Sequence, residues 1–137
     1  MTPTVLIPGL ACTAEMFTAQ TVALWPQGPV TVASTLEGET IAAMAAAILR
    51  DAPPRFALGG ISMGGYIAME ILRQAPERVM KLALLNTSAR ADTPEQIEAR
   101  RLLIERVRNG ELEAVLAQVT PNLLHPAHRD RQDLIDI

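Results

Sequence analysis

The stretch Gly59-Gly60-Ile61-Ser62-Met63-Gly64-Gly65 leaves the chain few ways to fold. Before it, Phe56-Ala57-Leu58 is a short apolar run that reads as a buried strand. After it, the spacing predicts a helix over Tyr66 to Ala75. Met63, Ile67, Ile71 and Ala75 share one face, and Glu70, Arg73 and Gln74 another. A strand that becomes a helix within so few residues strains the backbone at the corner. Small residues two places before and after it, Gly60 and Gly64, let the two backbones pass closely. Ser62, at the corner, is lifted out of the sheet. Its hydroxyl then stands beside the first free N–H groups of the helix, where negative charge is favoured.

The plainer alternative is a glycine-rich turn with an incidental serine. The strand before, the helix after and the flanking Gly59 and Gly65 weigh against it. Two phosphate-binding motifs are excluded. A P-loop needs Lys and then Ser or Thr after its last glycine, and here Gly65 and Tyr66 follow Gly64. A dinucleotide fingerprint needs a second glycine where Ser62 stands.

The chain has 137 residues, enough for one modest core. Although 49% of the residues are apolar, no run of them is long enough to span a membrane, and no signal peptide is evident. A net charge of −3 without a basic block argues against nucleic acid as a partner. Cys12 is the single cysteine, so there is no intrachain disulfide and no cysteine metal cluster. No metal or other cofactor is expected. These features fit a cytoplasmic protein, and the excess of arginine over lysine with abundant alanine suggests a bacterial one.

Thr4-Val5-Leu6-Ile7 is a short strand ended by Pro8-Gly9. Thr13 can cap a helix from Ala14 to Leu24, with Glu15 in its first turn. Trp25-Pro26 closes it, and Val30 to Ala33 is a second strand. Thr40 can cap a helix over Ile41 to Arg50, where Ile41, Met44, Ala45 and Ile48 recur at helical spacing. The third strand and Ser62 follow, and a fourth strand runs from Lys81 to Leu85, ended by Asn86-Thr87-Ser88. Such alternation predicts an α/β fold: an open parallel sheet with helices on both faces. If the third strand pairs with the first, the order is 2-1-3-4. The ligand site then lies at the switch point, where Pro8-Gly9-Leu10 and Ser62 end their strands.

After Asn86 the pattern turns helical. Pro94 opens a helix to Arg108, with Ile97, Leu103, Ile104 and Val107 apolar, and Asn109-Gly110 breaks it. A second helix carries Leu112, Val115, Leu116 and Val119 on one face and ends near Pro121. The mixed charges between Arg90 and Glu113 read as a solvated face with pairs such as Arg101–Glu105. Residues 130–137 look like the first turns of another helix.

These residues resemble the α/β-hydrolase superfamily, in particular its short bacterial esterase-like members. Val5-Leu6-Ile7-Pro8-Gly9-Leu10 looks like the family's strand and oxyanion loop. Gly60-Ile61-Ser62-Met63-Gly64-Gly65 looks like its nucleophile elbow, Val79 to Asn86 like the next strand, and the stretch from Pro94 like the start of a lid. The resemblance implies that Ser62 is the nucleophile, with the backbone N–H groups of Leu10 and Met63 as oxyanion donors. Pro8-Gly9 stands where the family often has His-Gly, which matters little because only a backbone amide is needed. Each donor contributes about 3 kcal/mol of barrier lowering in acyl transfer. The family's acid and histidine come later in the chain, on loops after strands not present here. Residues 1–90 are therefore expected to be the N-terminal part of the hydrolase core, and residues 91–137 the start of a truncated lid. Such a chain alone is expected to be inactive, with an exposed edge at the fourth strand.

The implied activity is hydrolysis of a carboxylic ester or thioester, with a small-molecule acyl substrate. The same serine suits an acyltransferase or perhydrolase. A third reading is a non-catalytic module that binds a ligand at the switch point. Among local candidates, Asp92 reads as a loop or capping residue, and Cys12, Trp25 and Tyr66 as packing residues. His125 and His128 follow two helices with no strand to anchor them. They read as a lid corner, neither catalytic base nor metal pair.

Overall fold

The computed structural model describes residues 1–135. These fall into two compact units, Met1–Ala89 and a second from Arg90 onward.

The first unit is a four-stranded parallel sheet of β1 (Thr4–Ile7), β2 (Val30–Val32), β3 (Phe56–Ile61) and β4 (Val79–Leu85), in the order β2-β1-β3-β4. Its helices are α1 (Thr18–Leu24), α2 (Ile41–Asp51) and α3 (Met63–Gln74). The β1-to-β2 connection runs in one direction across the sheet and the next two run in the other. With right-handed crossovers, that reversal sends α1 to the face opposite α2 and α3. The core lies under α2 and α3. Val5 and Ile7 of β1 and Phe56 and Leu58 of β3 meet Ala45, Ile48, Ile67, Ala68 and Ile71 there. The Gln74 side chain joins the two helices by donating to the Ala42 carbonyl at 3.0 Å.

Thr13 and Thr40 cap as the sequence suggests, accepting from the N–H groups of Glu15 and Ala43. Several boundaries differ for identifiable reasons. β3 runs on through Gly59 and Gly60 to Ile61, because it is paired on both sides and the ladder replaces side-chain propensity. α3 begins at Met63, three residues earlier than the spacing indicated, since Ser62 alone makes the corner. β4 starts at Val79, and an irregular register leaves Met80 between the partners of Phe56 and Ala57, as in a β-bulge. Ala14–Phe17 is 3-10 helix, and α helix begins only at Thr18. Trp25 is not a packing residue: it is 68% exposed, because α1 buries none of its residues and the turn that ends it stands off the core with it. β4 forms one edge of the sheet and leaves Met80, Leu82, Leu84 and Leu85 exposed.

Arg78, at the entry to β4, ties down the α2–β3 turn. Its guanidinium donates to the carbonyls of Leu49, Ala52 and Pro53 at 2.8 Å and of Pro54 at 3.2 Å, and lies 5.7 Å from the Phe56 ring centre. Some of these are the carbonyls that a helix end leaves without partners.

In the second unit, α4 (Pro94–Arg108) opens with a capping box between Thr93 and Gln96. Gly110, at φ 87°, turns the chain into α5 (Leu112–Leu123). Arg106 bonds Glu111 at 2.9 Å and Gln118 at 2.7 Å across that turn. Arg101 lies 3.9 Å from Glu98, one turn back, in place of the Glu105 pairing suggested by the sequence. α5 runs two residues past Pro121. Thr120 and Asn122 donate to the Leu116 and Gln118 carbonyls, which supports the turn weakened by the missing proline donor. A short α6 (Gln132–Ile135) follows, and the part of the expected terminal helix at 136–137 lies outside the described residues. Among the described residues no helix is long and apolar enough to cross a membrane.

Replacing Arg78 with Met keeps the apolar stem and removes the donors. Hydrogen bonds to a charged group contribute about 2 kcal/mol. We expect urea denaturation of Arg78→Met to show a loss of that order with the slope unchanged; an unaltered midpoint would show that water replaces the guanidinium at no cost.

Candidate active site

Strand register builds the site. Ile7 pairs with Gly60, so the residues two places further on, Gly9 and Ser62, leave the sheet side by side. A Cβ placed on Gly9 would lie 3.5 Å from the Ser62 Cβ and 3.5 Å from the Cys12 sulfur. The loop then folds on itself. The Cys12 N–H donates to the Gly9 carbonyl at 3.3 Å, and Ala11 sits at φ 57°.

Ser62 occupies the corner with φ 53° and ψ −119°, a conformation costing about 1–3 kcal/mol for a residue with a Cβ. It is the N-cap of α3, yet its side chain makes no capping hydrogen bond. The hydroxyl is therefore not spent on the helix, and the residue is exposed. Its backbone is held from β4: the Ser62 N–H donates to the Leu85 carbonyl at 3.1 Å, and the Thr87 hydroxyl donates to the Ser62 carbonyl at 2.8 Å. The sequence alone marks Thr87 only as the end of a strand.

The glycines are explained by what surrounds them. A Cβ on Gly60 would strike the Gly64 carbonyl, and one on Gly64 would strike the carbonyl oxygens of Ile7 and Pro8. These are backbone atoms of β1, of Pro8 just after it and of α3, and no rotamer change relieves them. Leu10 directly follows Gly9, and Met63 is the first residue of α3. The amide of a first helical residue has no partner within its helix.

Asp92, His125 and His128 belong to the second unit. Asp92 accepts from Arg100 at 2.6 and 3.2 Å. The rings of His125 and His128 are 5.8 Å apart, and the His125 Nδ1 accepts from the Ala127 N–H. Among the described residues no group of three or more His, Cys, Asp or Glu could hold a metal. On α3, hydrogen bonds from Arg73 and then Gln74 pull the Glu70 carboxyl down to about 2. A cavity of about 250 Å³ between β2 and α2, lined by Val32, Ala33, Ala47, Ile48 and others, includes no elbow residue.

Known proteins are similar to this chain in sequence and fold. Residues 14–133 match the thioesterase domain family. A thermophilic esterase from Thermogutta terrifontis superposes with a TM-score of 0.81 at 28% identity, over 99% of this chain and 56% of its own. A hydrolase from Pseudomonas aeruginosa PA01 gives 0.79 at 24% identity, over 98% of this chain and 56% of its own. A segment of 51 residues, 37% of this chain, is 43% identical to a pimeloyl-[acyl-carrier protein] methyl ester esterase from Vibrio parahaemolyticus, and spans 20% of that protein. The chain thus spans little more than half the length of these two solved structures, and less of the curated relative.

A methyl group at position 64 has nowhere to go. We expect Gly64→Ala to lose about 3 kcal/mol of stability, or to accumulate as insoluble protein. A Gly64→Ala variant with the parent melting midpoint would show that the β1 and α3 backbones can move apart freely.

Proposed function

The chain belongs to the thioesterase domain family, within the α/β-hydrolase superfamily, and on that premise we propose that the polypeptide containing it hydrolyses a carboxylic ester or thioester through an acyl-enzyme on Ser62. The observation that carries the reading is the strained Ser62 corner, with an exposed side chain unused in capping and set beside Gly9. Helix propensity gives no reason for a serine at φ 53°. A nucleophile that must stand clear of the sheet gives one.

In this mechanism the Ser62 oxygen attacks the acyl carbonyl. Negative charge gathers on the carbonyl oxygen and is met by the Leu10 and Met63 N–H groups. The alcohol or thiol departs with the proton taken from Ser62, and water then releases the acid. A serine hydroxyl needs a base for the first step. We assign that base, and the acid that orients it, to parts of the polypeptide other than His125, His128 and Asp92. The bidentate pairing of Asp92 with Arg100 supports leaving it out. The names of the relatives fit an acyl substrate, carried as an oxygen ester or a thioester.

In the full-length polypeptide, Ser62→Ala should lower turnover of a p-nitrophenyl acyl ester by about 10⁶-fold and abolish labelling by a fluorophosphonate probe. Retention of more than a few per cent of activity would sink the assignment. The double variant His125→Ala, His128→Ala should stay within a few-fold of the parent. A loss as deep as that of Ser62→Ala, in a folded protein, would place the base at this corner after all.

A further inference from the structure

We propose that Thr87 is a positioning residue, which aims the Met63 N–H at the substrate oxygen by fixing the peptide plane between Ser62 and Met63. The inference rests on the reading of Ser62 as nucleophile and of the Met63 amide as oxyanion donor.

The Ser62 carbonyl and the Met63 N–H belong to one planar, trans peptide unit, so they point in opposite directions. Whatever holds the carbonyl therefore aims the amide. Two donors converge on that oxygen: the Gly65 N–H at 2.9 Å and the Thr87 hydroxyl at 2.8 Å. The first comes from the helix that the peptide itself begins. The second comes from outside it, and ties the plane to the end of β4. The Ser62 N–H also reaches this segment, donating to the Leu85 carbonyl at 3.1 Å. Both backbone polar groups of the corner residue are thus tied to Leu85–Thr87.

Two features without another role are accounted for by this contact. Gly65 is not among the glycines at which the β1 and α3 backbones meet. A Cβ there would lie 2.5 Å from the Thr87 Oγ1 and 2.5 Å from its Cγ2, so glycine is what admits Thr87 over the first turn of α3. Asn86, at φ 43°, adopts a left-handed conformation that asparagine tolerates better than most residues. It turns the chain out of β4 and brings Thr87 back over Ser62. Thr87 itself is half-buried, so water competes only partly for its hydroxyl. A plane with a single donor can rock about the strained Ser62 ψ. One with two anchors cannot without straining both.

The test compares Thr87→Val, Thr87→Ala and Thr87→Ser in the full-length polypeptide, with a p-nitrophenyl acyl ester as substrate. Val keeps the shape and loses the hydroxyl, Ala loses both, and Ser keeps the hydroxyl and loses the methyl. If Thr87 aims the donor, kcat falls about 10-fold in Val and Ala, the equivalent of one ordinary hydrogen bond. KM stays within about two-fold, since the oxyanion exists only in the transition state. Ser recovers the parent kcat to within about two-fold. The presence of the hydroxyl, and not the order of melting temperatures, sorts the variants. Parent-like kcat in Val and Ala, a loss confined to KM, or Ser impaired as deeply as Ala overturns the proposal while leaving the nucleophile reading intact. Failure of a fluorophosphonate to label Ser62 in the unsubstituted protein overturns both.

Discussion

At the corner between β3 and α3 two backbones run closer than any side chain allows, and the rest of the first unit follows from that approach. Gly64 sits against the carbonyls of Ile7 and Pro8, and Gly60 against the carbonyl of Gly64. The contact pins the exit of β1 to the start of α3, and so places the Pro8–Cys12 loop beside Ser62. The strain at Ser62, about 1–3 kcal/mol, is small beside what surrounds it. Val5, Ile7, Phe56, Leu58, Ile67 and Ile71 are all 2% exposed or less, and each such burial contributes about 1.5–3 kcal/mol. The core can therefore carry a strained residue at its rim.

β4 is the second organising element, although its own side chains are mostly exposed. Its two ends hold the two ends of the neighbouring strand. Arg78, where β4 begins, gathers the carbonyls of the turn that leads into β3. Leu85 and Thr87, where it ends, hold the backbone of the residue that leaves β3. The strand that carries the serine is thus fixed at entry and exit by one edge strand.

The corner was legible in the sequence because a close backbone approach leaves a steric imprint: glycine is the residue that fits, and the spacing Gly60, Ser62, Gly64 records where. The sheet order was legible for a related reason, since short links and a switch point constrain which strands can be neighbours. What escaped depends on partners distant in sequence. Nothing local marks Arg78 as the cap of a turn some 25 residues earlier, or Thr87 as a partner of Ser62. Pro121 marks roughly where α5 ends, but not that Thr120 and Asn122 donate to the carbonyls that carry the helix two residues past it. Trp25 reads as a packing residue because aromatic rings are usually buried, but it ends a helix that buries nothing. The apolar run ends at Leu58, and pairing on both sides carries the strand on through Gly59 and Gly60.

The central claim is a covalent acyl group on Ser62, and trapping it is the most direct measurement. The full-length polypeptide would be mixed with a p-nitrophenyl acyl ester, quenched in acid during turnover and digested with trypsin. Cleavage after Arg55 and Arg73 places the serine in one peptide, Phe56–Arg73, well separated from the peptide that carries Cys12. If Ser62 is the nucleophile, that peptide carries the added mass of the acyl group, with fragment ions locating it at Ser62. Ester hydrolysis with no adduct there, or with the acyl group on Cys12 instead, would contradict it.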